Sequence, residues 1–497
     1  MTEFYHELLC RNLPSRPLPE AGKILVTGAT GYIGGRLIPE LIGRGYQVVA
    51  MVRHDADAYR ERWPGATVVE GDALDRESLK KALEGISTAY YLIHSLRLGE
   101  KHFEEADITA AKNFSEAAAA SEISRIIYLG GLGDAQMPLS PHLKSRFTTG
   151  VALMDGPTPV TVLRTAIIIG SGSASFEIIK HLVRNLPLIL LPPWAFTLCQ
   201  PIAIRDVLKY LVGALETPST TGEFFDIGGP DILMYADILK VFAEILGRKT
   251  LFLRVPFITS CRLFGYLAGL ITPVPAPLVM ALMAGCKDEV ICKDSRMRDL
   301  LPFEPLPLRE AVARALAREE RAQVFTRWSD SRSHTSATFV RLAELRKPPR
   351  FSLKKSLVSS KSASSLFETM CNLGGDEGWF HTTILWKVRG VIDRAMLGVG
   401  IARGRKCSPG LSINDVIDCW RVEDLRENEM LLLRGEMKLP GRGWLKLMIE
   451  PLEGKNRLEL TAFFDTDSFW GPLYWIILLP FHHLIFMDIL REIENWS

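Results

Sequence analysis

Along residues 21–172 the apolar positions fall in short continuous runs separated by stretches with helical spacing. KILVTG (23–28), YQVVAMVR (46–53), ATVVEGD (66–72), AYYLIHSL (89–96), RIIYLGG (125–131) and PVTVLRTAIIIGSG (159–172) read as strands buried on both faces. Between them GGRLIPELIGRG (34–45), DRESLKKALEG (75–85) and ADITAAKNFSEAAAASE (106–122) read as helices. Continuous apolar strands, each followed by a helix, predict an α/β fold with a doubly wound parallel sheet. Residues 177–320 mix further strand and helix signals and finish in the helical LREAVARALAREERA (308–322).

The pattern then changes. Residues 326–349 are rich in serine and basic side chains and end in Pro348-Pro349. They place a linker at 323–349, with an irregular extension packed on the first domain as the equal alternative. Beyond it the period is two: Leu445, Leu447 and Ile449 share one face of WLKLMIE, and Leu458, Leu460, Ala462 and Phe464 one face of RLELTAFF. Ser365-Leu-Phe-Glu368 is a candidate capping box, and an aromatic, proline-broken helical stretch follows at 469–494. This order predicts a smaller α+β domain in which a curved antiparallel sheet grips a helix. The expected division is an N-terminal arm (1–20), the α/β domain (21–322), the linker and the second domain (350–497).

A chain of 497 residues is too long for one core, in agreement with that division. The net charge of +2 and the absence of zinc-finger, RNA-recognition or helicase signatures argue against nucleic acid as a partner. Eight cysteines without a Cys-x-x-Cys pair argue for reduced thiols, with Cys286 and Cys292 in the core, and against a zinc site. His482 and His483 are neighbours on a helix, diverge, and lack a carboxylate pattern, so they read as packing residues and no metal is expected. The first twenty residues carry Glu3, His6, Glu7 and Arg11 and no apolar h-region, which argues against a signal peptide and for the cytoplasm. The mean hydropathy of +0.11 reflects charge-free runs at Leu263–Cys286 and Phe469–Met487. Each has the length of a membrane span, but Pro273, Pro275 and Pro277 interrupt the first and Pro472 and Pro480 the second. Buried helices, or a surface lying peripherally at the inner face of a membrane, are the expectation.

Gly28-Ala-Thr-Gly31-Tyr-Ile-Gly34 follows a strand and opens a helix, the context in which such glycines hold a dinucleotide. Gly28 permits the turn, Gly31 lets backbone N–H groups approach the pyrophosphate, and Gly34 allows close packing of helix on strand. The helix N-terminus meets the phosphates with partial positive charge. The second strand ends in Val52-Arg53-His54, where an NAD site carries an acidic residue for the ribose 2′-hydroxyl. Arg53 favours the 2′-phosphate of NADP(H), and Asp55 two residues on keeps NAD(H) open.

TGATGYIG, VEGDALD (69–75), LRTAIIIG (163–170), QPIAIRDV (200–207) and LVGALETP (211–218) resemble the atypical or extended short-chain dehydrogenase/reductases, in the branch of NmrA-like proteins and the nucleotide-binding accessory subunit of respiratory complex I. The resemblance covers roughly residues 21–320. DVIDCWRVEDL (415–425) and GEMKLPGRGW (435–444) resemble a poorly characterised domain that looks like the START or polyketide-cyclase helix-grip fold, which implies an apolar cavity and a small apolar ligand there. By resemblance Thr30, Tyr32 and Ile33 belong with the glycines in the cofactor loop, Asp72 and Ala73 line the adenine, and His94 borders the nicotinamide ribose. In the family register, LSPHLKSR (139–146) places His142 at the catalytic tyrosine and Arg146 at the lysine, while Gly130 stands for the serine. His142 and Arg146 stay i, i+4 on one helix face. Arg146 can hold the ribose, and His142 is the candidate acid. A register pairing Ser140 with Lys144 is the lesser alternative. Two functions are carried forward. One is an NADP(H)-dependent oxidoreductase of an apolar carbonyl, quinone or isoprenoid-like substrate. The other is a non-catalytic nucleotide-bound scaffold or redox sensor that partners proteins or a membrane.

Overall fold

The computed structural model describes residues 8–18, 20–94, 103–133, 139–321, 323–331, 340–375, 378–379, 381, 383–400 and 411–496. It divides into two compact units, Met1–Thr272 with Pro277–His334, and Pro273–Ala276 with Thr335–Ser497.

In the first unit β1 (Lys23–Val26), β2 (Gln47–Val52), β3 (Ala66–Glu70), β4 (Ile86–Tyr91), β5 (Arg125–Gly131) and β6 (Val160–Thr165) are joined by a seventh strand, Phe224–Ile227. All pair in parallel, in the order Phe224–Ile227, β6, β5, β4, β1, β2, β3. Six of the seven are the runs read from the sequence. β4 starts three residues early, because Ser87 and Thr88 hide it in the pattern although Thr88 pairs with both Ile24 and Arg125. Residues 95–96 of the predicted strand lie outside the described residues. Helix α1 (Gly34–Gly43) buries Leu37, Ile38 and Leu41 on the sheet. The order reverses between β1 and β4, and loops leaving the carboxyl ends of those strands diverge there to open a crevice.

The charge-free run at 263–286 forms two helices, Cys261–Ile271 and Ala276–Ala284, of 11 and 9 residues. Both are too short to span a bilayer. Of the two alternatives for residues 323–331, the structure has the packed extension. Val324, Thr326, Trp328, Ser329 and Asp330 are all buried. The Thr326 hydroxyl donates to the Tyr32 carbonyl (3.1 Å), the Trp328 N–H to the Gly172 carbonyl (2.8 Å), and Arg62 pairs with Asp330 (3.0 Å). The described part of the N-terminal arm is fixed as well. The N–H groups of Leu9 and Cys10 donate to the Glu40 carboxylate (3.0 and 2.9 Å), and Arg44 and Ser15 both reach Glu216 (2.5 and 2.6 Å).

The second unit is a six-stranded antiparallel sheet in the order Phe351–Ser359, Lys455–Asp465, Arg442–Leu452, Met430–Gly435, Trp420–Arg426, Val416–Ile417. The two predicted apolar faces meet across strands: Leu445 pairs with Ala462, Leu447 with Leu460, Ile449 with Leu458. Against them lie Ile489, Leu490 and Ile493 of the helix Gly471–Trp496. That helix is continuous through Pro480, not broken as the sequence suggested. It is also long and apolar enough to cross a membrane, by length and composition. The predicted capping box is displaced: Ser362, not Ser365, caps the helix Ala363–Cys371, accepting from the Ser365 N–H (3.2 Å).

Candidate functional site

The crevice at the carboxyl ends of β1 and β4 opens into a cavity of about 780 Å³. Every residue expected to touch a cofactor lines it: Gly28, Thr30, Gly31, Tyr32, Ile33, Gly34, Arg53, Asp72, Ala73, His94 and Arg146, together with His142. Gly28 has φ +62°, and a Cβ there would stand 2.6 Å from the Leu92 carbonyl oxygen. A Cβ on Gly34 would stand 2.4 Å from the Gly28 carbonyl oxygen. The two glycines therefore let the loop, β4 and α1 approach to backbone contact. No side chain caps the N-terminus of α1 and no acidic residue occupies its first turn, so its positive end faces the cavity unshielded. Asp72 and Ala73 are held in place, Asp72 by donating its N–H to the Ser78 hydroxyl (2.9 Å) and Ala73 by accepting from Asn113 (3.1 Å). These residues fit a dinucleotide, which would lie with its pyrophosphate on the glycine loop.

Arg146 and His142 both face the cavity from the helix Pro141–Met154. The Arg146 guanidinium donates to the Leu129 carbonyl and lies 4.9 Å from the centre of the Tyr128 ring. Burial, helped by His94 and Arg146, pushes His142 well below the ordinary histidine range, so its ring is neutral at physiological pH. Lys144 points away, 58% exposed and paired with Glu104 at 3.0 Å, so the Ser140–Lys144 register supplies no group to the site. Gly130 lies on the wall, where a Cβ would meet the Tyr128 ring at 3.1 Å.

Several residues of this site were not singled out in the sequence. Asp107, buried on the helix Phe103–Ala120, accepts from His94 Nδ1 (3.0 Å) and from the Ser145 hydroxyl (3.1 Å). Leu182, Leu186, Trp194, Phe264, Leu267, Ile271, Leu278 and Leu282 give the cavity a large apolar chamber, and Trp328 closes part of it from the packed extension. The charge-free run at 263–286 thus lines a chamber inside the first unit. Cys286 also lines it; burial raises its thiol pKa, so it behaves as a wall residue. Burial likewise pushes Cys292 up to about 12. His482 and His483 are not brought to any such site: His482 stacks on Phe486 and packs on Trp475, both at 5.3 Å.

Behind the wall residues Ser173 and Ile178 sits a buried ionic cluster. Lys180 bridges Glu177 and Glu319, at 2.8 Å to each. Burial and the neighbouring Glu177 charge raise Glu319 to about 7. Burial alone would raise Glu177 too, but His181, Lys180 and Arg327 hold it below the usual carboxylate range. A carboxyl raised in the fold binds a proton that the unfolded chain has already released. Its contribution is therefore full at acid pH and is lost as pH rises through the folded value. The expected result is a thermal midpoint whose Glu319 contribution falls between roughly pH 4.5 and 7 in the wild type, levels off above that, and is absent in Glu319→Gln. Parallel pH profiles for the two proteins would contradict a Glu319 carboxyl raised by burial and the neighbouring Glu177 charge.

Residues 28–151 match the family model described as NAD(P)H-binding, and residues 353–489 match a family described as a protein of unknown function (DUF2867). The chain is 24% identical over 257 residues to the chloroplastic divinyl chlorophyllide a 8-vinyl-reductase of Arabidopsis thaliana, covering 48% of this chain and 61% of that protein. It is 23% identical over 261 residues to the mitochondrial NADH dehydrogenase [ubiquinone] 1 alpha subcomplex subunit 9 of the same plant, covering 51% and 65%. The chain therefore spans less than two thirds of the length of either relative. Among solved structures, the Citrobacter sp. triphenylmethane reductase complexed with NADP(H) is 23% identical, with 59% of this chain and 99% of that one covered at a TM-score of 0.49. The glycine loop, the strand order and the matched family model make the first unit an NAD(P)-binding domain of Rossmann type.

Proposed function

We propose that this protein, from its NAD(P)-binding unit, is an NADP(H)-dependent oxidoreductase acting on an apolar carbonyl, quinone or isoprenoid-like substrate. The observation that carries the reading is the continuity of the cavity. One space of about 780 Å³ runs from the glycine loop, past His94, His142 and Arg146, into the chamber walled by Trp194, Phe264, Leu267 and Leu282. A pocket of this size, mostly apolar and with a few polar groups at one end, suits a hydrophobic substrate oriented against a cofactor. When bound, the nicotinamide would supply or accept the hydride. The chain's part is to bind the phosphates on α1, orient the ribose and exclude water. The relatives include a reductase and a respiratory-complex subunit, so redox use of such a domain has precedent.

Arg53, on the cavity wall at the end of β2, supports NADP(H) over NAD(H). Tighter binding of NADPH than of NADH is expected, and Arg53→Asp should cost about ten- to a hundredfold in NADPH affinity, the worth of one charge-assisted contact. Equal wild-type affinities would refute the preference. Turnover of NADPH against a panel of quinones and apolar ketones tests the oxidoreductase reading itself. Gly130 favours a second reading, a nucleotide-bound scaffold, because it offers no hydroxyl to orient a carbonyl; tight NADPH binding with no turnover on any substrate would support it. The exposed Leu473, Ile476, Ile477 and Leu484 of the helix Gly471–Trp496 favour a peripheral contact with a membrane as part of either reading. The small apolar ligand expected in the second unit is not included, since Ile489, Leu490 and Ile493 pack on its inner sheet face.

A further inference from the structure

His94 stands where β4 runs out into the cavity, and three groups from two helices surround it. Asp107, from the helix Phe103–Ala120, accepts from its Nδ1 at 3.0 Å. His142 and Arg146 face it from the helix Pro141–Met154, with the two imidazole rings 5.2 Å apart. Asp107 is itself locked: it is 2% exposed and accepts the hydroxyl of Ser145, which is fully buried. A carboxylate on Nδ1 fixes the tautomer. The Nδ1 proton belongs to the bond with Asp107, so a lone pair is left on Nε2. His94 Nε2 is buried and meets no hydrogen-bond partner among the described residues, although the ring lines the cavity. His142 is differently placed. The Asp107 carboxylate bonds to His94 and not to it, and its own Nδ1 is without a partner among the described residues.

We propose that His94, oriented by Asp107, is the catalytic residue that exchanges the proton with the substrate oxygen, and that the substrate is a secondary alcohol or ketone on an apolar frame. This rests on the oxidoreductase reading above and names the residue that performs it. In the oxidative direction the alcohol O–H bond breaks and its proton passes to His94 Nε2. The carbinol C–H bond breaks and its electron pair leaves with the hydrogen as hydride to an oxidised nicotinamide dinucleotide. The carbon–oxygen double bond forms, the alcohol carbon is oxidised and the nicotinamide is reduced. The imidazolium so produced is flanked by the Asp107 carboxylate, which offsets the burial and the Arg146 charge that otherwise disfavour it. Ketone reduction is the same path reversed. Asp107 is a positioning residue here, acting through the ring it holds.

The test uses the full chain, long-chain secondary alcohols with NADP+ and the matching ketones with NADPH. His94→Gln should lower kcat by about a hundredfold or more, the usual range for a lost proton-transfer group, with NADPH affinity kept within about threefold. His142→Ala should lower kcat by less than His94→Gln does. Asp107→Asn should lower kcat and also move the acid limb of the oxidation profile to lower pH, since the imidazolium loses its carboxylate. A histidine NMR titration, which needs no turnover, should show the same downward shift of the His94 pKa. If His94→Gln proves poorly folded, Asp107→Asn and the titration decide. A wild type that turns over while His94→Gln keeps its rate, or an unmoved His94 titration in Asp107→Asn, would overturn this assignment and leave the oxidoreductase reading standing. A wild type that binds NADPH and transfers hydride to or from none of these compounds would overturn both.

Discussion

Gly34→Ala is expected to weaken NADPH binding by about a hundredfold, read by fluorescence titration, while circular dichroism stays that of the wild type. A single methyl produces this loss because everything it meets is main chain. The new Cβ would lie 2.4 Å from the Gly28 carbonyl oxygen, 2.9 Å from the Gly28 carbonyl carbon and 3.0 Å from the Ala29 Cα. None of these is the end of a side chain that can turn aside, so the loop itself must shift away from α1. That displaces the N–H groups and the helix end that would meet the pyrophosphate. A loss of two decades corresponds to about 2.7 kcal/mol. Gly31→Ala, whose Cβ would meet only the Gly28 carbonyl oxygen at 3.1 Å, should cost less. If Gly34→Ala binds NADPH as tightly as the wild type, the dinucleotide does not lie on this loop.

Glu216→Ala is expected to destabilise the first unit by about 3–5 kcal/mol, the cost of leaving a buried charge without its partner. The Glu216 side chain is fully buried and Arg44 nearly so. Arg44 meets both carboxylate oxygens, Tyr46 donates to one at 3.1 Å and Ser15 to the other at 2.6 Å. Arg44 also donates to the carbonyls of Cys10 and Ser15, so this one cluster ties the arm 8–18 to the turn after α1 and to the helix Ile204–Glu216. Chemical denaturation should show the loss, and limited proteolysis should cut first within the arm. A change below about 1 kcal/mol would mean that Arg44 finds water in the variant and that the pair is an ordinary surface one.

Most of the first unit was legible because its strands are buried on both faces and so read as unbroken apolar runs. The second unit was legible for a different reason: one face is buried, and period two exposes it. The cofactor loop was readable from the glycines alone, since the close approaches at Gly28 and Gly34 demand that residue type. Asp107 was not read, although a signal for it exists. It sits three, four and seven residues before the buried Ala110, Ala111 and Phe114, so a carboxylate occupies the apolar stripe of its helix. An acid in that stripe calls for a buried partner, and the partner lies thirteen residues earlier on another element, where helical spacing cannot point. The apolar chamber was not read for a related reason. Hydropathy gives the same value to a side chain facing lipid, a core or a pocket, and only the fold around Phe264, Leu267 and Leu282 tells them apart.

The packed extension 323–331 bears on how the first unit can be produced by itself. A fragment ended at residue 322, where the helical pattern stops, would strip the Tyr32 and Gly172 carbonyls of the groups that donate to them and leave Arg62 without its aspartate. It would also open the cavity where Trp328 and Ser331 wall it. Such a truncation would score as a failed nucleotide binder for reasons that have nothing to do with the nucleotide. The smallest faithful fragment runs through Ser331, and the boundary drawn by hydrophobic periodicity falls nine residues short of it.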